Sequence, residues 1–189
     1  MNALTQFHTD RDRARSAKDA MANVCTVANV DKNGSAQLRT LVLRDVEGQL
    51  AIFINATSPK WPHLQSTVSL LCYWPSISIQ YRIMATVSAV PEAIVQDSWQ
   101  LRPPVPKQMD WLYETWLSQS SEIPDRDTLL KKLAEQALPA PLTASDNARG
   151  LLLAPQTIER LDLGHGNGVH DRTLATLTAT GWTSITLVP

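Results

Sequence analysis

Residues 68–90 read VSLLCYWPSISIQYRIMATVSAV, and their dense β-branched, aliphatic and aromatic content predicts two strands, at 68–74 and 77–90. Working back from there, the segment 22–30 is rich in Val, Thr and Ala. Asp31-Lys-Asn-Gly34 follows, and its Asn-Gly step has the chemistry of a hairpin turn. The next run, 35–46, alternates: Leu38, Thr40 and Val42 lie on one face, Arg39, Leu41 and Leu43 on the other. Glu47-Gly48 then turns the chain into 49–55, completing three strands in meander order. Ser58-Pro-Lys-Trp-Pro62 reads as a helix start, with a serine cap and proline at the first helical position, continuing to residue 66.

Downstream, between residues 92 and 136, the period changes. Trp99, Met109, Trp111, Leu112, Trp116, Leu129, Leu130 and Leu133 fall at helical spacings, interrupted by Pro103, Pro104 and Pro106 and by Ile123-Pro124, so a helical insert is predicted. After Gly150 the β pattern returns at 151–163, 173–178 and 182–188, with Thr180-Gly181 as the last turn. The polar, charged residues 1–20 read as a short helix leading into the domain. Strands, helices, then strands again predict one mainly β (α+β) domain over residues 1–189, a closed or nearly closed antiparallel barrel with helices outside.

With 17 Lys and Arg against 18 Asp and Glu, the net charge is -1, and nothing draws the whole protein toward nucleic acid or an anionic membrane. Any anion it binds must be met by local charge. No stretch is apolar for long enough to span a bilayer, and the amino terminus lacks the apolar run of a signal peptide. Cys25 and Cys72 both sit in apolar runs, as small buried thiols do, which leads us to expect a reducing, cytoplasmic setting.

A few residues are costly unless they bind something. Arg39 shares its strand face with Leu41 and Leu43, and Arg82 in IQYRIMATV poses the same problem, with Gln80 two residues before it on the same face. At the predicted helix start, Lys60 and Ser58 could meet a phosphate together with Arg39. The structural alternative is that a strand arginine pairs with an intrachain carboxylate, and that Gln80 is a satisfied amide. His165 and His170 flank a glycine-rich loop without zinc-like ligand spacing, so no metal is expected. GHGNG at 164–168 lacks the strand–helix context of a dinucleotide fingerprint. The six tryptophans are read mainly as core or interface residues.

Taken in order, LRTLVLR (38–44), SPKW (58–61), CYWPSISIQYRI (72–83), LSQSSEIP (117–124) and HDRTLATLTATGW (170–182) resemble the successive motifs of the pyridoxamine 5'-phosphate oxidase family. The resemblance runs from about residue 22 to the carboxyl terminus, and it is nearer to the related FMN-binding proteins of this class than to the enzyme of vitamin B6 synthesis. It implies an antiparallel split β-barrel with peripheral helices, and a homodimer holding FMN across its two-fold interface. It further implies a flavin oxidoreductase acting on a small-molecule substrate. By the same resemblance, Arg39 and Lys60 hold the FMN phosphate, with Thr40 and Ser58 beside them and Arg44 where the family has a strand-end lysine. Gln80, Gln119 and Ser120 map to further FMN contacts. Arg172 maps to the closing arginine of the H-D-R motif, set to stabilise charge on a reduced flavin, and His170 stands on the substrate side.

Departures qualify the activity. Pro59 replaces a phosphate-turn arginine, and Phe53-Ile54 replaces a Tyr-Thr pair, which implies fewer polar contacts to FMN. Gly168 stands where the family grips its substrate with an arginine, Ser98 stands for a substrate-side tyrosine, and Arg102 alone persists from the helical phosphate cluster. Two alternatives therefore accompany the oxidoreductase reading: a noncatalytic FMN carrier or sensor, and a dimeric interaction module that has lost flavin.

Overall fold

The computed structural model describes residues 2–64 and 66–189. The element order is helix α1 (Ala3–Ser16), strands β1 (Val24–Val30), β2 (Ala36–Val42), β3 (Arg44–Val46), β4 (Gln49–Asn55), β5 (Thr67–Trp74) and β6 (Ile79–Ala89), helices α2 (Glu92–Gln100), α3 (Pro104–Thr115) and α4 (Arg126–Glu135), and strands β7 (Ala148–Asp162), β8 (Asp171–Thr178) and β9 (Gly181–Leu187). Among the described residues nine strands form one sheet in the order β2-β1-β5-β6-β7-β4-β3, with β8 on β7 and β9 on β8. This is the antiparallel split-barrel architecture that the motif order implies, and helices α2, α3 and α4 lie between β6 and β7 in the chain.

The turns follow local chemistry. Asp31 Oδ1 accepts from the amides of Asn33 and Ser35 at 2.8 and 3.0 Å, and Gly34 takes φ +82°, so the β1–β2 hairpin closes where the Asn-Gly step stands. Val46 pairs with Gln49, and both loop residues between them have positive φ (Glu47 +49°, Gly48 +79°), the signature of a type I′ turn. One expected element is absent. Among the described residues between β4 and β5 there is only a three-residue 3-10 turn, Trp61–His63, rather than the expected helix from Ser58; residue 65, inside the predicted span to residue 66, lies outside the described residues. Pro62 supplies no N–H to a helical ladder and disfavours helical backbone at Trp61 before it, so the segment cannot propagate. A macrodipole argument for anion binding at Lys60 falls with that helix.

The chain divides into two compact units, one of residues 1–52, 63–88 and 153–189, the other of residues 53–62 and 89–152. The first holds most of the sheet and α1. Phe7, Asp10, Arg11 and Ala14 are buried at the i, i+3, i+4, i+7 spacing of a single helix face. Phe7, Trp74 and Tyr81, each at most 1% exposed, pack with ring centroids 5.0–5.4 Å apart. Around them Asp10 accepts from the Tyr81 hydroxyl (2.7 Å) and Arg160 Nε (2.9 Å), while Arg11 donates to the Ala22 carbonyl and to Asp45. The helix is thus tied to the sheet by buried, fully engaged polar groups.

The second unit holds α2, α3 and α4. Its centre is Asp110, which accepts from Trp99 Nε1 (2.9 Å) and Asn55 Nδ2 (3.4 Å) and pairs with Arg102. Burial pushes the Asp110 carboxyl above its ordinary value, against the opposing pull of Arg102 and Trp99. Gly150 lies here too: a Cβ on it would stand 2.8 Å from Val90 and 2.9 Å from Phe53, so only glycine allows that approach.

Candidate functional site

Strand register sorts the expected ligand residues of the first unit onto two faces. Thr40 pairs with Thr26, Thr26 with Leu71, and Leu71 with Arg82, a row across β2, β1, β5 and β6. Arg82 then reaches Glu159 on β7, its Nη2 donating to Oε2 at 2.7 Å. Arg172 on β8 donates to the same carboxylate from Nε (3.2 Å) and Nη2 (3.1 Å). Gln80 belongs to this outer face as well, paired with Tyr73. An open groove of about 530 Å³ runs along it, lined by Leu38, Leu71, Met84 and Leu174 with Arg82 and Glu159. Three of its apolar residues are openly exposed, Leu38 at 64%, Met84 at 43% and Leu71 at 38%.

Arg39 lies on the opposite face. It pairs with Val27, which is 1% exposed and points into the core. Its Nε is buried without a hydrogen-bond partner among the described residues. A buried donor left unmet costs about 1–3 kcal/mol, and Arg39 Nε is one of five buried side-chain polar atoms without a partner among the described residues. Asn29, which the sequence reading passed over, pairs with Gln37 on that same face and has an equally unmet Nδ2. Nothing in its residue type distinguishes it from a turn-flanking asparagine; only the register reveals it.

In the second unit, Ser58 and Lys60 are buried, at 3% and 8% exposure. Thr57 accepts from the Gln119 backbone N–H (3.2 Å) and donates to Asn55 Oδ1 (2.6 Å), which brings the turn after β4 next to Gln119. Gln119 Oε1 is a further buried atom without a partner among the described residues, and Ser120 holds a left-handed φ of +73°. Thr57 and Asn55 build this corner, and both were missed because their roles depend on contacts far away in sequence. Arg44 is half-buried on β3, and His170 is exposed just before β8. His165 lies 3.9 Å from Asp162, and among the described residues no group of three or more His, Cys, Asp or Glu is placed to hold a metal ion. Arg102, which the motifs leave as the last substrate-phosphate residue, is engaged by buried Asp110. No helix among the described residues is long and apolar enough to cross a membrane.

Residues 14–137 match the family model described as pyridoxamine 5'-phosphate oxidase. Pyridoxine/pyridoxamine 5'-phosphate oxidase from Ralstonia pickettii (strain 12J) is 31% identical over 196 residues, spanning 98% of this chain and 88% of that protein. The chain belongs to the pyridoxamine 5'-phosphate oxidase family. Among solved structures, PhzG from Burkholderia lata 383, in complex with tetrahydrophenazine-1-carboxylic acid, superposes with a TM-score of 0.86 at 20% identity, over 100% of this chain and 93% of that one. A pyridoxamine 5'-phosphate oxidase-related, FMN binding protein from Nostoc punctiforme PCC 73102 has a TM-score of 0.76 at 21% identity, covering 94% and 92% of the two chains. These two likenesses establish the family fold. The Ralstonia relative and the family model together cover every segment in which the motifs were read.

Proposed function

We propose that this member of the pyridoxamine 5'-phosphate oxidase family binds FMN as a homodimer and works as an oxidoreductase on a small molecule. The observation that carries the proposal is the orphaned, buried Nε of Arg39, at the position the family motif gives to the FMN phosphate. A phosphate supplies the acceptor oxygens that this donor lacks, in a charge-assisted bond. Lys60 and Ser58, with Gln119 and Ser120 beside their turn, and Gln80 and Arg172 on the outer sheet face are assigned to the remaining contacts.

Two features favour a site shared by two copies of the chain. Arg39 and Arg172 lie on opposite faces of the sheet, so within one copy they do not face a common ligand. The outer face also exposes Leu38, Leu71 and Met84 around its groove, an apolar surface of the kind that a partner covers. Bound FMN would supply two-electron chemistry at its isoalloxazine. By the family motifs, Arg39 and Lys60 are each assigned to the phosphate, the Arg172 cation to the place where negative charge grows on reduction, and His170 to the substrate side.

The absorbance spectrum of the freshly purified protein, followed by titration with FMN, is the deciding experiment. We expect the visible flavin bands, or saturable uptake at one FMN per chain; a folded, colourless protein that takes up no FMN would remove the proposal and leave the flavin-free dimeric module. A second reading, an FMN carrier or sensor without turnover, is favoured by Gly168 at the substrate-gripping position and by the pairing of Arg102 with Asp110. Peroxide release under air with amine or B6-type substrates distinguishes turnover from carriage.

A further inference from the structure

Among the described residues Glu159 is the one buried carboxylate on the outer sheet face, and it holds two arginines. Its side chain is 8% exposed, against 29% for Arg172 and 59% for Arg82. Arg172 meets it with the Nε and Nη2 edge, one hydrogen bond to each carboxylate oxygen, at 3.2 and 3.1 Å. That two-point fork fixes both the plane and the direction of the guanidinium. Nη1, on the far side, keeps only a long 3.4 Å contact to the Val188 carbonyl. A flexible arginine is thereby held with one edge committed and the other presented outward. Arg82, bound to Oε2 alone at 2.7 Å, prevents the carboxylate from swinging out of that arrangement.

We infer that Glu159 is a positioning residue for the flavin site: by gripping one edge of Arg172 it aims the other at the ligand. The inference rests on the FMN reading above. Glu159 itself touches no ligand and acts through Arg172. Loss of the carboxylate would leave two guanidinium groups close together with nothing between them, and Arg172 would swing away from Arg82 and from its working position.

The test is the Glu159→Gln variant, whose amide keeps the shape but turns one acceptor into a donor facing the guanidinium donors. FMN dissociation constants, the midpoint potential of the bound flavin and the thermal midpoint are measured for the wild type and the variant. Mispositioned Arg172 should raise the FMN dissociation constant about tenfold, the scale of one lost charge-assisted bond. Its preference for reduced over oxidised flavin should also fall about tenfold, which lowers the two-electron potential by about 30 mV. A charge effect alone would act in the opposite sense, because removing a negative charge raises the potential, and that result overturns the inference. So does a lower thermal midpoint with affinity and potential unchanged, which would make Glu159 purely structural. In an Arg172→Gln background, Glu159→Gln should add no further loss; additive losses count against the inference. If Glu159→Gln does not fold, Glu159→Asp, which keeps the charge but shortens the reach, should move affinity and potential in the same directions, and unmoved values overturn the proposal. A folded wild type that takes up no FMN brings down the functional reading itself, whereas FMN-binding protein with indifferent variants brings down only the role of Glu159.

Discussion

Arg39 and Arg82 look alike in the sequence, each a cation among apolar strand neighbours, yet their environments resolve in opposite ways. Arg82 finds Glu159, the ordinary outcome for a strand arginine, and its cost is offset inside the chain. Arg39 Nε finds no partner among the described residues, and under the proposed function it is the donor that meets the phosphate. Replacing it should therefore damage ligand binding more than folding. We expect Arg39→Ala to weaken FMN binding by about 1.5–3 kcal/mol, the scale of a lost charge-assisted hydrogen bond, with little change in thermal stability. Isothermal titration of both proteins with FMN checks this, and an unchanged affinity would take Arg39 out of the site. The cysteines show the opposite kind of residue: burial pushes the Cys25 thiol up to about 12 and raises Cys72 too, which leaves both protonated and unreactive.

At the scale of an element, α1 shows how a mostly polar helix earns its place. Asn2 caps it by accepting from the Leu4 amide at 2.8 Å, Arg13 and Arg15 sit in its last turn where the dipole favours cations, and Asp10 and Arg11 are wholly buried. Burial alone would raise the Asp10 carboxyl, but hydrogen bonds from Arg160, Tyr81 and Gln6 prevail and hold it below its ordinary 3.8. A carboxylate with a depressed folded pKa stabilises the protein at pH values above its unfolded pKa, and that contribution is lost as pH falls through the folded one. Asp10→Asn should accordingly cost about 3–5 kcal/mol at neutral pH, the penalty for breaking a buried ion pair, and much less in strongly acidic buffer. Urea unfolding at both pH values measures the difference; an equal penalty at each would mean that Asp10 contributes shape rather than charge.

At the scale of the whole molecule, the outer sheet face is the surface on which the proposed partner copy would pack. Leu38, Leu71 and Met84 surround the groove, while the Arg82–Glu159–Arg172 cluster stands along it. A charge introduced at Leu38, 64% exposed, should be tolerated by an isolated chain but not by a chain whose partner packs there. If the proposed FMN-holding dimer forms, Leu38→Glu is thus expected to convert it to a folded monomer and to release FMN together with the interface. Light scattering and circular dichroism on the variant report the two outcomes. A dimer that persists with full flavin content would place the interface elsewhere.

Alternation and turn chemistry were enough to place most strands and the β1–β2 and β3–β4 turns, because each depends on neighbours within a few residues along the chain; they did not show that the run 35–46 breaks at Leu43 into β2, which pairs with β1, and β3, which pairs with β4. The same local logic failed at 58–64, where the described residues form only a tight 3-10 turn, since Pro62 removes an N–H from the helix that a serine cap suggests. Motif order supplied the family and the candidate ligand residues, again from the sequence alone. Which of those residues have partners was decided only by folding: Glu159 meets Arg82 across 77 residues, and Asp10 meets Arg160 across 150. No local pattern encodes such pairings. They are set by strand register and burial, and it is those long-range contacts that leave Arg39 with an unmet donor while Arg172 is held in place.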